Sequence, residues 1–199
     1  MKAMDRDIST LFEKFDDAPR DLRSSGPASE VSIRPACMSD ARAIGRISAE
    51  REGKDSEEVI AAVERALASD SIGQGDVVLV AEVDGFVVGF AKAQYREEES
   101  EGLPEGWYLT GIVVDPRFRR RGFGAKLTAA RMRWIGDRGT AAYYFANAMN
   151  RVSIALHEEF GFVEVVRDSS FGGVSFVGGE GILFKAAVGG SERREDANE

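Results

Sequence analysis

The sequence predicts an α+β protein in which a mixed β-sheet is flanked by helices, and three stretches predict it. Asp84-Gly85 separates two near-continuous apolar runs, 77–83 and 86–91, which is the signature of a tight antiparallel hairpin. Residues 107–114 are rich in aromatic and β-branched side chains and are stopped by Pro116. A helical apolar spacing from about Ala125 to Arg138 follows, and then a second short β-rich run at 141–146. That strand–helix–strand unit is right-handed with parallel strands by general rule. Third, 150–160 has helical spacing and ends at Gly161, placed as a left-handed cap ahead of a further strand at 162–166.

In chain order, Ile8, Leu11, Phe12 and Phe15 make a short apolar face at helical spacing, followed by a linker through Pro19 and Ser24-Ser25-Gly26-Pro27. Val31-Ser32-Ile33-Arg34 alternates as a first strand. Ser39-Asp40 is placed to cap a helix carrying Ile44 and Ile47. A second helix covers 56–68, with Val59, Ile60, Val63 and Leu67 on one side. The hairpin strands are apolar at nearly every position, which predicts strands covered on both faces. Residues 96–106 form an acidic loop containing Glu97, Glu98, Glu99, Glu101 and Glu105. Leu127, Ala130, Trp134 and Ile135 give the helix after 125 its buried side, and a last strand falls at 181–185 past Gly172-Gly173. The predicted order is β-α-α-β-β-β-α-β-α-β-β. It divides the chain into an N-terminal tail or short helix with linker over 1–29, one domain over 30–188, and a charged, disordered tail over 189–199.

Composition narrows the function classes. With 199 residues and 43% hydrophobic content, the chain has length for one core that needs neither disulfides nor a metal. A net charge of −8 argues against a nucleic-acid or membrane-surface binder and leaves an acidic surface suited to a cationic amine. One cysteine, Cys37, cannot form an internal disulfide, and one histidine with one cysteine shows no zinc-type ligand set. No apolar run approaches the roughly 20 residues that span a bilayer, and the N-terminus lacks a secretory apolar stretch. A cytoplasmic, metal-free protein is the expectation.

Against that acidic background, Arg117, Arg119, Arg120 and Arg121 stand together, followed by Gly122-Phe123-Gly124 at a helix start. The first turn of a helix has backbone N–H groups without partners and the positive end of the dipole, so it attracts anions. Glycines at 122 and 124 remove the Cβ atoms that would keep a phosphate away, and arginines add charge-assisted donors. The spacing is not that of a nucleotide-hydrolysing loop, and Leu127 stands where a dinucleotide fingerprint would need its third glycine. In the second informative stretch, helical offsets of three, four and seven bring Asn150, Ser153 and His157 into one stripe. A histidine exchanges protons near neutral pH without large tuning.

Arg119-x-x-Gly122-x-Gly124 after Val114-Asp115-Pro116 resembles the acetyl-CoA signature of the GNAT superfamily of N-acetyltransferases. Asn150-x-x-Ser153-x-x-x-His157-Glu158-x-x-Gly161-Phe162 is similar to that superfamily's second motif, nearest to its phosphinothricin acetyltransferase-like branch. The resemblance runs from about Val31 to Lys185 in element order, but only 112–126 and 150–162 carry specific motifs. It implies the GNAT fold and acetyl-CoA as co-substrate. The backbone of Ile112, Val113 and Val114 would pair with the pantetheine arm, and the amides from Arg119, Arg120, Arg121, Gly122, Phe123, Gly124 and Ala125 would hold the pyrophosphate. Asn150, with Ser153 beside it, would contact the pantetheine.

His157 stands where many members carry a tyrosine that protonates the departing thiolate, which makes it the implied general acid. The branch also has a catalytic glutamate seven residues before the motif's proline. Here that position is Leu109, so the base is open among Tyr108, Thr110 and the 97–105 carboxylates, and Tyr108 is the catalytic expectation beside His157. The implied function is acetyl transfer to a primary amine of a small molecule, of amino-acid, antibiotic or polyamine type. Acetylation of a protein N-terminus or lysine is the alternative within enzymes, and a non-catalytic acyl-CoA-binding regulatory domain is the alternative of another class. A homodimer rests on family analogy alone.

Overall fold

The computed structural model describes residues 31–189, apart from residues 70, 71, 73, 74, 98, 100, 101 and 177. The apolar face at Ile8 to Phe15, the linker, the tail from Ser191, and Glu98 and Glu101 of the acidic loop lie outside the described residues. The elements are β1 (Val31–Pro35), α1 (Ala41–Glu52), α2 (Ser56–Leu67), β2 (Val77–Val83), β3 (Phe86–Arg96), β4 (Gly106–Val114), α3 (Phe123–Gly136), β5 (Ala141–Asn147), α4 (Arg151–Glu158), β6 (Val163–Asp168), β7 (Ser170–Phe171), β8 (Val174–Ser175) and β9 (Gly181–Ala187). Seven strands form one mixed sheet in the order β1-β2-β3-β4-β5-β9-β6. Every neighbouring pair is antiparallel except β4–β5, which is parallel as the crossover through α3 requires.

The apolar pattern of β2 explains how the sheet is covered. Its residues alternate between two cores: Val77, Leu79, Ala81 and Val83 face one, and Val78 and Val80 the other. The first core is built with Leu127 and Ile135 of α3, Tyr144 of β5 and Phe162 after α4. The second is closed by Ile44 and Ile47 of α1, with Val63 and Leu67 of α2 packed against it. Each fully buried aliphatic side chain contributes about 1.5–3 kcal/mol, so both faces are held without any staple. A third cluster of Leu103, Tyr108, Phe171, Phe176 and Leu183 covers the β4-β5-β9 end on the α1–α2 side. The hairpin turn is as predicted, with Asp84 and Gly85 both at positive φ (50° and 82°), the geometry that matches strand twist.

Three local expectations are corrected. Asp40 is the N-cap residue of α1, but its carboxylate does not cap; it takes two guanidinium bonds from Arg34, at 2.7 and 2.9 Å, and one from the Cys37 N–H. Arg34 also bonds Glu82, so the first strand and first helix are tied through charge. Helix α3 begins at Phe123 rather than Ala125 and ends at Gly136, because Gly122 at φ 80° lets the chain enter the helix directly from the loop. The stretch around Gly172-Gly173 is a small two-stranded hairpin, β7–β8, whose Phe171 is buried in the third cluster.

Candidate active site

The sheet divides between β4 and β5. Their parallel ladder has only two register pairs, Trp107↔Ala142 and Tyr108↔Tyr143, and beyond Tyr108 the strands separate. On its other side β4 stays paired with β3 as far as Val114, with one slip: Ala91 faces Ile112 and Lys92 faces Thr110, so Gly111 is an extra residue with no counterpart. It is a β-bulge at φ 46°, a conformation open to glycine and costly for side chains, and it is exposed although it sits in the middle strand of seven. The carbonyls of Ile112 and Val114 accept bonds from the guanidinium groups of Arg51 (3.5 Å) and Arg119 (3.1 Å). Two backbone carbonyls of the motif strand thus lie along the edge that β5 has left, each met by an arginine of the protein itself.

The loop beyond it is shaped for an anion. Asp115 is 4% exposed, accepts from the Arg117 N–H and pairs with the Arg117 guanidinium at 2.6 Å, which holds its carboxyl below the usual range. Arg117 is thereby committed to the protein itself. Arg120 and Gly122 both take left-handed backbone, φ 60° and 80°, the kind of alternation from which short loops build concave anion sites. A non-glycine residue held there costs about 1–2 kcal/mol, which the surrounding structure must offset. No side chain caps α3, so its first-turn amides are left without a capping partner at the loop. A Cβ on Gly122 would meet nothing within 4 Å on the protein side, and one on Gly124 would touch only Leu156 at 3.5 Å and Ile112 at 3.9 Å. The loop thus has the amides, the room and the charge to hold a diphosphate.

Helix α4 differs from the expectation in one respect that matters chemically. Asn150 caps it, its Oδ1 accepting from the Ser153 N–H at 3.2 Å, which leaves the amide nitrogen outside that bond. His157 lies on the same stripe but faces inward. It is 2% exposed and stacked 3.9 Å from the Tyr144 ring, with Phe162 at its edge. Its Nδ1 is 2.8 Å from the Ser153 carbonyl, which can only accept, so Nδ1 carries the proton. Burial, opposed by that bond and reinforced by the charge of Arg131, pulls the ring's pKa down to about 4. At neutral pH the ring is therefore neutral with its proton on Nδ1, and Nε2 bears none in this arrangement.

Tyr108 is likewise placed inward. Its hydroxyl donates to the Pro104 carbonyl at 2.6 Å, its ring stacks on Tyr143, and burial raises its pKa, so the phenol keeps its proton near neutral pH. Leu109 belongs to the core under α3. Thr110 is half-buried, and its hydroxyl donates to Gln94 Oε1 at 2.7 Å; the Gln94 amide in turn donates to Asp76 at 3.3 Å. Of the acidic loop, Glu105 accepts from the Tyr95 hydroxyl. Sequence reasoning missed Gly111, Arg51 and the Gln94–Asp76 support. A glycine inside a β-branched run was the available signal for the bulge.

In architecture this is an N-acetyltransferase fold. The structure of a phosphinothricin acetyltransferase from Sinorhizobium meliloti in complex with AcCoA is similar at a TM-score of 0.60 and 19% identity, over 80% of this chain and 89% of that one. Ribosomal-protein-alanine N-acetyltransferase from Brucella melitensis is similar at 0.62 and 25% identity, over 79% and 99%. The chain belongs to the acetyltransferase (GNAT) family, whose model matches residues 38–162. Aminoglycoside N(6')-acetyltransferase type 1 from Salmonella typhimurium is 34% identical over 91 residues, 44% of this chain. The match spans 63% of that relative's length.

Proposed function

We propose that this protein transfers the acetyl group of acetyl-CoA to the primary amine of a small cationic molecule. The observation that carries the reading is the exposed bulge at Gly111, set where the sheet forks and continuous with the cationic glycine loop. In this reading the amides of 119–125 and the Arg120 and Arg121 side chains bind the pyrophosphate, and the separated edge of Ile112–Val114 pairs with the pantetheine, displacing Arg51 from the Ile112 carbonyl. The Asn150 amide nitrogen donates to the same arm, with Ser153 beside it. Acetyl-CoA supplies an activated acyl carbon, and the backbone N–H at the bulge polarises its carbonyl, a fixed donor aimed at developing charge.

Thr110 receives the amine. Its proton is engaged by Gln94, so its oxygen lone pairs are turned to accept from the incoming nitrogen, and the fork holds that nitrogen against the acyl carbon. The amine must lose a proton, because an ammonium has no lone pair, and water at the exposed bulge carries it off. His157 and Tyr108 form the walls that fix this geometry. The net charge of −8 favours a cationic acceptor, and the aminoglycoside-acetylating relative supports a small polyamine-like one.

The test is thiol release from acetyl-CoA with aminoglycosides, polyamines, amino acids and short peptides, beside a calorimetric titration of acetyl-CoA. Turnover with a small amine is the expected outcome. Turnover confined to peptides would move the substrate to protein N-termini, as the name of the Brucella structure suggests, and binding without any turnover would favour a regulatory acyl-CoA sensor.

A further inference from the structure

Helix α3 buries a charge that the mechanism above does not use. Arg131 lies on the inner stripe with Leu127, Thr128 and Ile135 and is 1% exposed. Burying an ion ordinarily costs several kcal/mol unless an opposite charge compensates. No carboxylate among the described residues does so here: burial alone governs the group, drawing its pKa to about 9 and leaving it cationic at neutral pH. Its partners are neutral. Nη1 donates to the Lys92 carbonyl at 3.3 Å and Nη2 to Thr128 Oγ1 at 3.0 Å, while the buried Nε has no partner among the described residues.

The position of Lys92 gives this charge a meaning. Lys92 is the residue across from Thr110, at the step where the register slips past Gly111. The guanidinium therefore docks on β3 at the level of the bulge, and its field also reaches His157. A helix side chain has no structural need for a full charge there; methionine fills similar volume without the desolvation penalty.

We infer that Arg131 is a positioning residue for acyl transfer: a buried cation that fixes β3 against the Gly111 bulge and stabilises the negative charge that develops there. The inference rests on the acetyltransferase reading of the fork. When the amine nitrogen forms its bond to the acyl carbon, the carbonyl electron pair moves to oxygen. When the carbon–sulfur bond breaks, that pair returns and sulfur leaves as the thiolate. The proton lost by nitrogen goes to solvent, and solvent later protonates the sulfur. The single proton of neutral His157 is on Nδ1, engaged by the Ser153 carbonyl, so in the interim the thiolate's charge is balanced electrostatically. In a low-dielectric interior a fixed cation does this over distances at which water would screen it.

The test compares wild type with Arg131→Met and Arg131→Lys, using acetyl-CoA labelled with carbon-13 at the thioester carbonyl and infrared difference spectroscopy of the bound form. This readout needs no acceptor amine. Wild type should shift the carbonyl stretch below its value in free acetyl-CoA. Arg131→Met should bind with comparable affinity and melt no lower than wild type, yet lose most of that shift. Its kcat should fall about 10–100-fold at unchanged KM, and Arg131→Lys should recover much of both. An unchanged carbonyl frequency in Arg131→Met, or affinity, melting temperature and turnover all falling together, would overturn the inference while leaving the acetyltransferase reading intact. Failure of wild type to bind acetyl-CoA would overturn the reading itself.

Discussion

At the residue scale, His157 shows how packing sets the protonation of a motif residue. The motif places an imidazole four residues before Gly161, and the structure keeps it there. The Ser153 carbonyl and the Tyr144 ring then decide its protonation. The unfolded chain binds a proton at this group near 6.5, whereas the folded ring does so only near 4. Between those values the unfolded state holds more protons, so stability is full above about pH 6.5 and declines as pH falls toward 4, by about 3 kcal/mol in all. Urea unfolding at pH 7 and at pH 4.5 should show that loss in wild type, and a much shallower one in His157→Phe, which keeps the stack without a titrating group. Equal slopes in the two proteins would mean that the imidazole is not held neutral. Asp40, held at about 2 chiefly by Arg34, acts in a separate window below its ordinary 3.8, so the two effects do not overlap. None of this was readable from sequence, because burial of a helical histidine depends on which face the neighbouring strand covers.

At the element scale, the proposed function rests on β4 and on the start of α3, and the glycine-dependent feature of each is separable. A side chain at Gly111 meets no atom within 4 Å, so any effect there is conformational rather than steric. Gly111→Ala should cost about 1 kcal/mol of stability for the left-handed backbone, and Gly111→Val more, with turnover falling further than acetyl-CoA affinity as the bulge straightens. Gly124 lies where the coenzyme phosphates are proposed to sit, so Gly124→Trp should fold normally and lose acetyl-CoA binding in a titration; retained affinity would remove the phosphates from this loop. The hairpin at Asp84-Gly85, the crossover unit and the Gly161 cap were all legible, since each rests on local turn chemistry or on an apolar period. The bulge was hidden inside a run that reads as one strand, and Arg131 inside a helix whose charged residues ordinarily face water. The β7–β8 hairpin was too short to leave a period at all. Gly111 was the one local trace of the bulge; long-range packing made the other two, and a local pattern does not encode it.

At the scale of the whole molecule, a chain of net charge −8 concentrates cations at one loop. Attraction of a polyanion to that loop is partly screened by salt, with a Debye length of about 10 Å at 0.1 M. Acetyl-CoA affinity should therefore weaken several-fold when ionic strength rises from about 0.05 M to about 0.5 M, while the affinity of a cationic acceptor for the acidic surface weakens in parallel. Salt-independent binding of both would show that steering by the overall field is unimportant here.

The fork has a mechanical side as well. Strands β1 to β4 and strands β5, β9 and β6 are two plates joined by a two-pair seam, with α3 and the core beneath it as the backing. A pantetheine laid along Ile112–Val114 would act as a clasp between the plates. By mass action, a coenzyme concentration of 100 times its dissociation constant adds about 2.7 kcal/mol to folding. Amide hydrogens at Ile112, Val114 and the far end of β5 should then exchange quickly in the bare protein and slowly in the loaded one. Susceptibility to proteolysis would follow the same opening, so the lifetime of this protein in a cell would be a gauge of its acetyl-CoA supply.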